Sequence, residues 1–173
     1  MATIERLLII SGLSGAGKTI ALHALEDADF YCVDNLPAGI LPTLIRHLNE
    51  QSGAHFKRVA VGIDARNHEA SIRQLPGAVA SLRQEGIPVE LLFIDARDEE
   101  LTMRFSETRR KHPLSDEATS LTEAIRLERS MLNEVALLAD LRVDTTTFNV
   151  HELRATIRKS VAGRTDPALA VQF

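Results

Sequence analysis

Short apolar runs alternate along the chain with segments of helical periodicity. Leu7–Ser11, Phe30–Asp34, Arg58–Asp64, Val89–Asp95 and Leu141–Asp144 are too short for helices and predict strands. Between and after them, Lys18–Ala28, Ile40–Gln51, Ala70–Glu85, Glu99–Thr108, Leu121–Ala139 and Val150–Ala162 predict helices. The run Val89-Glu90-Leu91-Leu92-Phe93-Ile94 is almost continuously apolar. Such a strand suits a sheet covered on both faces. Strand–helix alternation then argues for right-handed βαβ units and a parallel sheet. In the long sixth helix, Leu121, Ala124, Ile125, Met131, Leu132, Val135 and Leu138 make one apolar stripe, which Glu128 interrupts. The expected fold class is α/β, a three-layer sandwich around a central parallel five-stranded sheet.

One loop changes the picture from fold to chemistry. Gly12-Leu13-Ser14-Gly15-Ala16-Gly17-Lys18-Thr19 fits G-x-x-x-x-G-K-[ST], between the first strand and the first helix. That strand–loop–helix setting is what a P-loop requires. Its glycines let successive backbone N–H groups curl round a polyphosphate, and the helix beginning at Lys18 turns its positive end to the same anion. Lys18 is expected to reach the β- and γ-phosphates, and the Thr19 hydroxyl to ligate Mg²⁺. The P-loop NTPase class follows, with a nucleotide and Mg²⁺ as cofactors.

Composition narrows the partners. The 173 residues are 45% hydrophobic and 25% charged, an ordinary globular balance, with formal net charge −4 and pI near 5.9. No global basic field is available to hold nucleic acid or anionic lipid. Cys32 is alone, which excludes an internal disulfide and suits a reducing cytoplasm. No apolar run approaches membrane-spanning length, so no membrane partner is expected. The six histidines show no metal-ligand spacing, so the only metal expected arrives with the nucleotide. Residues 1–163 read as one nucleotide-binding domain. The apolar run Ala168–Phe173 suggests that 164–173 is a linker or the start of a C-terminal domain.

Four strands stop on or beside an acidic residue: Asp34, Asp64, Asp95 and Asp144. Ligands of open α/β sheets bind beyond the carboxyl ends of the strands, so these side chains are placed to surround the P-loop. Aspartate is also a common turn-former and helix cap, and that reading stays open for each. Asp34 either faces an acceptor or the Mg²⁺ shell, or stops its strand before Asn35-Leu36-Pro37. Asp64 stands where a Walker-B carboxylate holds magnesium water, with Asn67 alternatively a helix cap. The metal candidates are thus Thr19, Asp34 and Asp64. Arg104, Arg109, Arg110 and Lys111 cluster before Pro113, either as a mobile arginine lid over a transferring phosphate or as a solvated basic helix end. Glu128 either pairs with a lid arginine or sits at the edge of its stripe. Asp144-Thr145-Thr146 either walls the base site, or Thr146 or Thr147 caps the last helix.

Several blocks recur together. The P-loop, Asp27–Pro37 with its FYCVDNLP string, Asp64-Ala65-Arg66-Asn67, Thr108–Leu114 with TRRKHPL, and Val143-Asp144-Thr145 appear in this order. The string resembles the nucleotide-binding domain of the RNase adapter protein RapZ family over nearly the whole chain. The resemblance implies a fold like that of small P-loop kinases and binding with slow hydrolysis of ATP and GTP. It implies Asp64, Ala65, Arg66 and Asn67 as a GTP-binding segment, although the Asn-Lys-x-Asp motif that reads guanine is absent. Lys18, Asp64, Arg109 and Arg110 are the residues expected to carry catalysis. The resemblance also implies a regulatory role, presenting a small regulatory RNA to an RNase and so tuning amino-sugar synthesis. That RNA contact belongs mostly to a C-terminal domain. Twenty basic against 24 acidic residues, no Trp and one Tyr leave this chain poorly equipped to bind RNA alone. A phosphotransferase on a small acceptor and a nucleotide-stabilised scaffold without turnover are the alternatives; oligomeric state is open.

Overall fold

In the computed structural model, which describes residues 4–51, 56–66 and 69–162, five strands form one parallel sheet. The strands are β1 (Arg6–Gly12), β2 (Tyr31–Val33), β3 (Arg58–Gly62), β4 (Val89–Asp95) and β5 (Leu141–Asp144), in the order β2-β3-β1-β4-β5. Every residue of β1 is buried, as expected of the central strand. Its register pairs Leu7–Ile10 with Val59–Gly62 of β3 on one side and Leu7–Gly12 with Val89–Ile94 of β4 on the other. The chain leaves β1 towards β2, whereas β3 and β4, its neighbours, send their connections the other way. β1 is therefore the topological switch point, and the crevice at its carboxyl end is the default ligand site of this class.

Right-handed crossovers in opposite directions place the helices on opposite faces. α1 (Lys18–Asp27) and α8 (Val150–Ala162) pack together over one face. α1 buries Ala21, Leu22, Ala24 and Leu25, and α8 contributes Leu153, Ile157 and Val161, one stripe at four-residue spacing. The other face is covered by α2 (Leu41–Glu50), α4 (Leu75–Gln84) and α7 (Asn133–Leu138). The short α3 (Glu69–Ile72) precedes α4, while α5 (Asp98–Thr108) and α6 (Leu121–Met131) pack on each other next to the β4 end.

Two helices expected to be continuous are interrupted. The segment 70–85 divides into α3 and α4 because Pro76 lacks an N–H and fits only the first turn of a new helix. The segment 121–139 divides at Leu132, whose backbone (φ −94°, ψ 2°) leaves the helical range before α7 begins. β2 and β3 also stop earlier than the apolar pattern implies, at Val33 and Gly62, so Asp34 and Asp64 stand in the loops beyond. The segment 164–173 lies outside the described residues.

The central strand should dominate stability. Ile9→Ala, at a fully buried β1 position, should cost about 2–5 kcal/mol in urea unfolding. Leu137→Ala, at a side chain 73% exposed, should stay within about 0.5 kcal/mol.

Candidate functional site

The loop leaving β1 is shaped by close approach. Gly12 has φ 150°, and a Cβ there would collide with the Ile94 carbonyl of β4. Leu13 N–H donates to that same carbonyl at 3.2 Å, so the loop starts wedged against β4. Gly17 (φ 122°) opens α1, and a Cβ on it would lie 2.5 Å from the Leu153 side chain. Leu13 and Ala16 are buried and form the floor of the loop, while Gly15 and Thr19 are exposed. Lys18 reaches back across it, its ammonium donating to the Gly12 carbonyl at 2.8 Å. Burial pushes its pKa below the ordinary lysine value; Glu128, Asp64 and Asp34 work against that shift and Arg66 with it. A concave backbone that side chains would block, beside one ammonium among carboxylates, fits a phosphate chain with its metal.

Beyond β3, Asp64 is buried and Ala65 beside it too. Arg66 folds back on Asp64 as a fork, with Nη2 to Oδ2 at 2.9 Å and its own amide to Oδ1 at 2.9 Å. Burial opposes the ionised carboxylate, but the Arg66 hydrogen bonds and the Lys18 charge outweigh it, and the Asp64 pKa falls below its ordinary value. Asp34 is exposed beyond β2, accepts from the Asn35 amide at 2.7 Å, and acts electrostatically on both Lys18 and Arg66. Asp34, Asp64, Arg66 and Lys18 therefore form one electrostatic group beyond the carboxyl ends of β1, β2 and β3. Asn67 lies outside the described residues. Among the described residues, no group of three His, Cys, Asp or Glu could cage a metal ion.

The other two strand-end carboxylates have different work. Asp95 pairs with Arg129 of α6 at 3.1 Å, and Asp144 accepts from Thr146 Oγ1 and N–H at 2.5 and 2.9 Å. Neither capping candidate starts the last helix: Asn149 Oδ1 takes the Glu152 amide at 2.8 Å and caps α8, while Thr146 Oγ1 accepts from the Arg97 amide. Thr145 instead donates to the Ala16 carbonyl of the P-loop at 2.6 Å. Arg104 joins it there, with Nη1 on the Gly15 carbonyl at 3.1 Å and Nη2 on the Thr145 carbonyl at 2.6 Å. Arg104 thus binds the loop itself and is separate from Arg109, Arg110 and Lys111, which are exposed.

Arg109 ends α5 in the left-handed region (φ 52°), a conformation that costs an arginine about 1–2 kcal/mol. The turn brings His112 back inside, where it is 1% exposed and its ring stands 5.2 Å from Phe105. Its Nδ1 accepts the Leu114 amide at 3.0 Å, so the proton sits on Nε2, which donates to Glu128 Oε1 at 3.2 Å. Glu128 is fully buried and also takes the Ser14 amide at 2.8 Å and the Ser14 hydroxyl at 2.5 Å. The expectation that Glu128 pairs with a lid arginine or sits at a stripe edge is corrected: it faces inward onto the P-loop. His112 had no sequence signal beyond its place in the TRRKHPL block.

Sheet order, loop and lysine together define a P-loop, kinase-like α/β protein. Solved structures agree on the fold: a sugar kinase from a Janibacter species superposes with TM-score 0.58 at 17% identity, over 96% of this chain and 99% of that one. A shikimate kinase from Acinetobacter baumannii gives 0.56 at 14% identity, over 94% and 96%. The RapZ-like N-terminal domain model matches residues 5–165, and the chain belongs to that family. A nucleotide-binding protein of Marinobacter nauticus is 47% identical over 97% of this chain and 58% of its own length. Another of Alkalilimnicola ehrlichii is 48% identical over 90% and 54%. The chain therefore spans just over half the length of these curated relatives. It is a nucleotide-binding domain of P-loop architecture. No helix among the described residues is long and apolar enough to cross a membrane.

The Asp64–Arg66 fork has a pH signature. A carboxylate whose folded pKa lies below its ordinary value of 3.8 adds stability above that value and loses it as pH falls through the folded pKa. Arg66→Ala should raise the Asp64 pKa, read from its carboxyl carbon by NMR. It should also shrink the part of acid destabilisation that Asp64 contributes.

Proposed function

We propose that this domain binds Mg·ATP or Mg·GTP, hydrolyses it slowly, and serves as the nucleotide-responsive module of an RNase adapter protein. The observation that carries the reading is Lys18, drawn back over a glycine-built loop in a chain of the RapZ-like family. Gly12–Thr19 hold the phosphates, with Lys18 as the charge on the β- and γ-groups. Thr19 and Asp64 hold Mg²⁺ and its water, with Asp34 next to them. Ala65, Arg66 and Asn67 complete a nucleotide contact on the β3 side. Arg109 and Arg110 close on the transferring phosphate, where delocalised guanidinium charge suits developing phosphoryl charge. Residues 1–163 form this unit, and 164–173 lead into a further domain. The full-length protein presents a small regulatory RNA to an RNase in the cytoplasm, controlling amino-sugar synthesis. RNA affinity resides mainly outside this acidic chain.

One observation favours a second reading, a small-molecule phosphotransferase. Asp34 is an exposed carboxylate whose charge is felt by both Lys18 and Arg66, the position of a base for an acceptor hydroxyl. Turnover measured with and without a panel of nucleosides, sugars and sugar phosphates separates the two. Acceptor-stimulated consumption with a phosphorylated product supports transfer, and acceptor-independent consumption supports hydrolysis.

Lys18→Ala should weaken ATP and GTP binding roughly tenfold to more than a hundredfold, the worth of a hydrogen bond to a charged group. Calorimetric titration reads this, with circular dichroism to check that the fold survives. Unchanged affinity in a folded variant would sink the assignment.

Arg109→Ala combined with Arg110→Ala should depress kcat more than it raises KM. An interaction gained only in the transition state has that signature. Equal kcat and KM in the variant and parent would make the segment a solvated helix end.

A further inference from the structure

Glu128 presents an anion to the same kind of donors that a P-loop offers phosphate. Its carboxylate gathers the Ser14 amide, the Ser14 hydroxyl and the His112 Nε2–H; Glu128 and His112 are buried and Ser14 is half-buried. None of these three donors is cationic, since His112 Nδ1 is itself an acceptor. Ser14 lies in the opening half of the loop, where the Lys18 ammonium folds over to the Gly12 carbonyl. A P-loop lysine serves the β- and γ-phosphates, so the Ser14 donors belong to the γ end of the site. Burial aside, Glu128 is also the strongest influence on the Lys18 ammonium. The same carboxylate holds the segment that carries Arg109, Arg110 and Lys111, because His112 is its tether. Arg109 in the left-handed conformation turns the chain into that tether.

We propose that Glu128 is a specificity-determining residue that competes with the terminal phosphate of a nucleoside triphosphate for Ser14, and that its displacement releases the 109–120 segment through His112. This rests on the nucleotide-binding reading above. A diphosphate is held by Lys18 and the helix end of the loop and leaves the Glu128 contacts in place. A triphosphate brings a second anion to the Ser14 donors. Two like charges cannot share them without a large penalty, so the carboxylate moves away and His112 loses its acceptor. The domain then reports which nucleotide it holds by the state of its basic segment.

The test uses the 173-residue chain with MgADP and with the magnesium complex of the β,γ-imido analogue of ATP. Glu128→Gln keeps an oxygen acceptor for Ser14 but removes the charge. It should shift the diphosphate-to-triphosphate affinity ratio towards triphosphate by about tenfold or more, the scale of a relieved like-charge contact. In the parent chain, trypsin should cut after Arg109, Arg110 or Lys111 faster with the triphosphate analogue than with MgADP. His112→Gln should make that cleavage fast with either nucleotide. Should Glu128→Gln not fold, the cleavage experiment on the parent chain decides alone. An unmoved affinity ratio in folded Glu128→Gln overturns the proposal, as does equal cleavage of the parent with the two nucleotides. If the parent binds neither nucleotide, the nucleotide-binding reading itself fails and the latch with it. Binding of both with an unmoved ratio removes only the latch.

Discussion

Gly12 ends a strand hydrogen-bonded on both sides and begins the anion-binding loop, and at that residue the backbone touches β4 with no room for a side chain. The Ile94 carbonyl takes the Leu13 amide, which sets the angle at which the loop leaves the sheet. From that angle follow the rest of the loop's contacts. Ala16 meets Thr145, Gly15 meets Phe105 and Arg104, and Gly17 backs onto Leu153 of α8. The loop is thus clamped by β4, α5, the β5–α8 connection and α8, all converging on the switch point of the sheet. Preorganisation of this kind leaves little ordering for a bound phosphate to impose.

The clamp is made of buried and half-buried polar contacts, and the buried ones are costly unless every group is paired. Thr145, Arg104, His112 and Glu128 meet that condition through one another and through loop carbonyls and amides. Their low-dielectric setting strengthens each contact and raises the cost of breaking one. The P-loop and the neighbouring basic segment are consequently one network, joined through Glu128 of α6 and His112. The opposite side of the site differs in character: Asp64 is buried there, but Asp34 is exposed and the guanidinium of Arg66, the partner of Asp64, is half-exposed.

Much of the fold is legible in the chain, for reasons visible in particular segments. Val89–Asp95 and Leu141–Asp144 are bounded as the apolar pattern predicts: the first because a strand buried on both faces carries nearly uninterrupted hydrophobicity, the second as a short edge strand in which Val143 alone is buried. Helix continuity is less legible. Pro76 is a local signal that outweighs the apolar periodicity around it, whereas the break at Leu132 has no residue that announces it. Among the strand-end aspartates, composition alone treats all four alike. Packing divides them: Asp34 and Asp64 lie within electrostatic reach of the lysine, Asp95 is taken by Arg129, and Asp144 folds onto its own turn.

The sequence by itself determined the loop, its lysine, the alternating elements and the family blocks, since each depends on residues near one another along the chain. Tertiary structure alone decided which distant groups meet. Ser14 and Glu128 are separated by 114 positions, and Ala16 and Thr145 by 129. A glutamate in an apolar stripe reads locally as a flaw or an edge. Only the fold supplies the three donors that make a buried carboxylate tolerable there, because their convergence depends on where β1, α5 and α6 end relative to one another.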